Sequence, residues 1–108
     1  MAYDEELADR VRDVLPDPAA VREQKMFGGL AFMYRGHMCV GILKDELMLR
    51  LGEPGADEAL TRPHVSPMDF TRKRIRTMVL VHRDGLEGVA LSEWVAEAMA
   101  YVETLPAK

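Results

Sequence analysis

The sequence predicts an α+β fold of two layers, an antiparallel sheet of about five strands with N- and C-terminal helices packed against it. Three observations predict it. Helical spacing of apolar residues is concentrated near the two ends of the chain, and the middle is a series of apolar bursts of strand length. The breaks between those bursts are so short that consecutive strands must run antiparallel. All of residues 1–108 are assigned to one domain, because a second autonomous core would not fit this length.

The first helix is expected over residues 4–15. Leu7, Val11, Val14 and Leu15 share one helical face, Asp4, Glu5 and Glu6 suit the positive end of the macrodipole, and Pro16 and Pro18 stop the helix. Strands are then expected over 21–26, 30–34, 37–43 and 46–51. Gly28-Gly29, Arg35-Gly36 and Lys44-Asp45 supply the turns between them, with Gly28 and Gly29 reserved for a backbone geometry other residues resist. A short helix fits 54–60, closed by Arg62-Pro63. Pro63 and Pro67 allow at most an edge or irregular extended segment up to Phe70, before a strand over 77–82. Asp84-Gly85 turns the chain into a last helix over 88–105, with Leu91, Trp94, Val95, Ala98, Val102 and Leu105 on one stripe.

Strand parity assigns faces. With two-residue loops at Arg35-Gly36 and Lys44-Asp45, Tyr34 faces His37 and Leu43 faces Glu46. Alternation then gathers Ala31, Met33, Met38, Val40, Ile42, Leu47, Leu49 and Leu51 on the face toward the helices. Leu30, Phe32, Tyr34, His37, Cys39, Gly41, Leu43, Glu46, Met48 and Arg50 fall on the other. Phe32, Tyr34 and Cys39 left in water would form an apolar patch, so they are the candidate interface of a homodimer, with Glu46 and Arg50 at its rim.

Composition narrows the function classes. The 48% apolar and 30% charged fractions are those of a folded globular chain, not a disordered or collagenous one. An acidic start without an apolar core is no signal peptide, the longest apolar or glycine run (26–34) is far short of the ~18 residues a membrane helix needs, and a lone cysteine suits the cytoplasm. The net charge of −4 opposes general attraction to phosphate backbones. Its distribution is uneven: residues 62–83 hold six basic side chains against Asp69, so that segment is +5 and the remainder −9. Arg72, Lys73, Arg74 and Arg76 form the candidate basic surface.

No constellation in the sequence carries catalysis, and no cofactor or metal is expected. His37 and Cys39 offer two ligands where structural zinc needs four, and a Cys39 nucleophile lacks an electropositive setting. Gly28-Gly29 lacks the Gly-Lys-Ser/Thr ending of a phosphate loop. Asp45-Glu46 and Asp57-Glu58 read as solubilising charge, and Met26, Met33, Met38, Met48, Met78 and Met99 as core filler.

Several words of the sequence are distinctive together. These are Lys25-Met26-Phe27-Gly28-Gly29-Leu30-Ala31-Phe32-Met33, Gly36-His37-Met38-Cys39, Arg62-Pro63-His64, Pro67-Met68-Asp69-Phe70, and Trp94-Val95 with Leu105-Pro106. In these the chain resembles the TfoX/Sxy family, specifically its N-terminal domain, over nearly its whole length. The resemblance implies helices covering an antiparallel sheet, and a tie to regulation, since full-length relatives promote competence-gene transcription together with the cyclic AMP receptor protein. The chain stops where their separate C-terminal helical domain would begin, and the family supplies no catalytic residues to transfer. The expected function is therefore a non-enzymatic protein-interaction domain with an unknown protein partner. The alternative is direct nucleic-acid binding through Arg72 to Arg76, which steep salt dependence would reveal.

Overall fold

In the computed structural model, which describes residues 3–26, 28–70 and 73–106, with the side chains of residues 69, 70, 73 and 74 outside that description, Asp4 caps the first helix. Its Oδ1 accepts from the backbone N–H groups of Glu6 at 2.9 Å and Leu7 at 3.2 Å, satisfying donors that the first helical turn leaves unpaired. Helix α1 spans Glu5–Val14 and buries Leu7, Ala8 and Val11. After Pro16 a short 3-10 turn, Pro18–Ala20, delivers the chain to β1, Val21–Met26, whose residues are mostly exposed.

A meander follows: β2 (Gly29–Tyr34), β3 (His37–Leu43) and β4 (Glu46–Arg50). The Arg35-Gly36 and Lys44-Asp45 connections have the expected two residues, with Tyr34 opposite His37 and Leu43 opposite Glu46, whereas the first, expected to leave residues 27–29 between strands, is one residue shorter, with Met26 opposite Gly29. Arg35 and Gly36 both have positive φ, 57° and 86°, as the primed hairpin turn requires. In the first turn Gly28 takes φ +76°, so of the glycine pair it is Gly28 that occupies the left-handed region.

Helix α2 (Gly52–Ala59) leads to the hairpin β5 (Val65–Phe70) and β6 (Lys73–Val81), and α3 (Ala90–Glu103) ends the fold after a 3-10 turn at Arg83–Leu86. The sheet has six antiparallel strands in the order β1-β2-β3-β4-β6-β5, one more than the sequence expectation. The extra strand is β5. Pro67 has no N–H to donate, and its strand accordingly takes the sheet edge while β6 takes the inner place beside β4.

All three helices contribute to one core on one side of the sheet. Leu7 and Val11 of α1, Ala56 and Ala59 of α2, and Leu91, Val95, Ala98 and Val102 of α3 pack with Val40, Ile42, Leu47, Leu49, Val79 and Val81. Phe32 is in this core, fully buried, together with Leu30, Cys39 and the partly buried Tyr34. That corrects the parity reading.

The Arg35-Gly36 and Lys44-Asp45 hairpin lengths were as expected. Parity fails because β3 carries one extra residue: Phe32 pairs with Val40 and Met33 with Met38, which leaves Cys39 unmatched. Such a bulge changes the register by one, and a one-residue change exchanges the faces. Leu30 and Phe32 thereby join Val40 and Ile42 beneath the helices, and Ala31, Met33 and Met38 move to the opposite face.

Two substitutions test these assignments. Phe32→Ala should lose about 3–5 kcal/mol of unfolding free energy in a urea titration, the range for emptying a buried aromatic site. A loss below ~1 kcal/mol is the surface result and contradicts the burial. Gly28→Ala should cost about 1 kcal/mol or more, because its φ of +76° disfavours any Cβ although no neighbouring atom lies within 4 Å of one.

Candidate functional site

The face of the sheet opposite the helices is built from methionine. By alternation from the pairing, Met26 on β1, Met33 on β2, Met38 on β3, Met48 on β4 and Met78 on β6 occupy it. Met48, Met68 and Met78 form a second buried cluster, with Met38, Leu43, Ile75 and Leu80 partly buried against it. Gly41 lets this happen at the centre. A Cβ there would lie 2.7 Å from Met48 Cε and 3.7 Å from Met38 Sδ, so the missing side chain is the space the methionines fill.

The hairpin helps to roof this face. Pro67 pairs with Val79 but Met68 pairs with Ile75, a register shift that disrupts the β5–β6 ladder. Irregularities of this kind bend a strand and raise its twist. The distal part of the hairpin thereby brings Met68 and Ile75 against Met48 and Met78. At the Glu46 end Leu43 remains half-buried, and Glu46 and Arg50 flank Met48 along β4 on the same side.

The residues singled out from sequence are dispersed. Phe32 and Cys39 lie under the helices and Tyr34 against the edge of that core, so these three form no open interface. Gly28 forms the first turn and Gly29 begins β2. Arg76 is exposed on β6, Arg72 lies outside the described residues, and so do the side chains of Lys73 and Arg74. His37 is engaged at 2.7 Å by the Pro106 carbonyl through Nε2, and Arg35 Nη1 donates to the Glu103 carbonyl at 2.9 Å. Among the described residues no group of three His, Cys, Asp or Glu side chains could hold a metal ion, and no helix is long and apolar enough to cross a membrane.

Cys39 is 1% exposed, and burial pushes its thiol up to about 12, only partly offset by Arg50. A thiol held neutral in an apolar core is a packing group.

A second feature joins two of the distinctive sequence words. Arg62 at the end of α2 lies 4.6 Å above the Trp94 ring of α3. It donates from Nε to Glu58 Oε2 at 3.1 Å and from Nη1 to Glu97 Oε2 at 2.9 Å, with a further Nη2 bond to Glu58 Oε1. These bonds raise the Arg62 pKa, and the bond from Arg62 holds the Glu58 carboxyl below its ordinary value. Arg62, Pro63, His64 and Trp94 line an open cleft of about 590 Å³ here, alongside Glu93 and Glu97. The arrangement clips α2 to α3 over the indole, which accounts for these residues structurally.

Sequence reasoning missed the methionine face. Its residues were visible, but their grouping depends on two register shifts, neither marked by a glycine. The shift on β3 falls at Cys39-Val40 and the one in the hairpin follows Pro67. Pro67 is the one signal that could have pointed to an irregular hairpin.

The thiol supplies a direct check. Cys39 should resist Ellman's reagent in the folded protein at pH 8 and react fully in denaturant. Raising pH should also destabilise the fold from about 9 to about 12, since in that interval only the unfolded chain ionises its thiol. Rapid native labelling would show that the core opens at this site.

The sequence profile of the TfoX N-terminal domain matches residues 13–101. No curated protein and no solved structure matches the chain.

Proposed function

From the premise that the chain belongs to the TfoX N-terminal domain family, a family of regulatory domains, we propose that it acts in the cytoplasm as a non-enzymatic protein-interaction domain in transcriptional regulation, with the methionine face as its contact surface. One observation carries this reading. Among the described residues the sheet has an apolar face with no helix upon it, whose outer residues Met38, Leu43, Ile75 and Leu80 are each only partly buried. Among these, the unbranched thioether of Met38 adapts its shape to a partner more readily than leucine or valine, which suits a docking surface. The residues flanking Met48 on β4, Glu46 and Arg50, give the apolar centre a charged border.

Competence genes are the transcripts this reading puts first, by way of the family. The test is a transcript profile of cells lacking the gene, compared with cells carrying Leu80→Glu at the native locus. The variant should reproduce the profile of the deletion while its abundance and melting temperature stay near those of the parent. A wild-type profile from that variant overturns the role of this face. An electrophoretic shift with competence-promoter DNA that persists at physiological salt overturns the protein-contact reading in favour of direct nucleic-acid binding.

A further inference from the structure

We propose that the partner of the methionine face is the same face of a second copy of this chain, the two related by a two-fold axis lying in the interface and perpendicular to β4. The inference rests on the reading of that face as a contact surface and names what it contacts.

The charge pattern of β4 selects this geometry. Glu46, Met48 and Arg50 stand in line on the face, and the outer two are separated by roughly 13 Å, four residues of extended chain. Arg50 Nε donates to the Met38 carbonyl at 2.7 Å, which fixes the guanidinium at its end of the strand. Among the described residues, neither Glu46 nor the terminal nitrogens of Arg50 have an ionic partner. Two sheets meeting face to face can be related by an axis along the strands or across them. An axis along the strands sets Glu46 on the partner's Glu46 and Arg50 on the partner's Arg50. An axis across them, beside Met48, sets Glu46 opposite the partner's Arg50 and Arg50 opposite the partner's Glu46. Only the second arrangement pairs opposite charges, and it pairs them twice, as an isologous contact must.

Light scattering at micromolar concentration, with Glu46→Arg and Arg50→Glu measured separately and as an equimolar mixture, tests the arrangement. The parent should be a dimer. Each variant alone places like charges together at both ends and should dimerise about 100-fold more weakly. Mixing the two should restore the dimer, because each charge again meets its opposite. Leu43→Glu, which leaves the Arg50 bond to Met38 intact, should also give a monomer that melts cooperatively.

A monomeric parent overturns the inference, as does a dimer indifferent to all three substitutions or a mixture that fails to restore association. The two proposals separate cleanly. A monomeric parent whose regulated transcripts still depend on Leu80 removes the dimer and leaves the contact face; a dimer whose loss leaves those transcripts unchanged does the reverse.

Discussion

One extra residue in β3 sets which side chains meet in this protein. With Cys39 unmatched between Met38 and Val40, the register from Phe32 inward places Phe32 and Leu30 beneath the helices with Val40 and Ile42. Because side chains alternate with a period of two, no smaller adjustment could have exchanged the faces and no larger one was needed. The aromatic ring goes into the helix-covered core and Met33 and Met38 go to the other side. The chemical difference between the two faces follows from that placement.

The helix layer is held to the sheet mainly by apolar contact, and its polar and ionic contacts lie at the margins. No polar or charged residue is buried among the described residues. Arg12 bridges Asp9 of its own helix and Glu23 of β1, Arg62 ties α2 to α3, and Arg35 and His37 hold the β2–β3 turn to the end of α3. These side chains are largely solvated, and exposed pairs of this kind are individually worth little. Their position matters more than their strength: they fasten the ends of elements whose middles are already fixed by packing. The Arg62 clip also shelters the single tryptophan, which is 7% exposed.

The two faces make different demands on side chains. Beneath the helices, branched residues with few rotamers fill a space whose shape is fixed on both sides. On the opposite face the space is bounded by the hairpin and by side chains of the same sheet, and unbranched methionines fill it.

The sequence by itself determined the elements and their order. Proline and glycine positions fixed where helices and strands end, two-residue loops fixed antiparallel neighbours, and Asp4 announced the first helix. The five expected strands appear, and Pro67 correctly marked the segment before Phe70 as edge material. The distinctive words also carried the family, because they combine local turn geometry with core positions. Tertiary structure alone decided the faces. A bulge has no dependable local signature, since its extra residue is accommodated by the partner strand and by the helices that must cover Phe32. The same holds for the hairpin, where packing of Met68 and Ile75 on strands nearly twenty residues or more away selects the bend. Local chemistry determines what each segment becomes, and only the assembled sheet determines which way its side chains point.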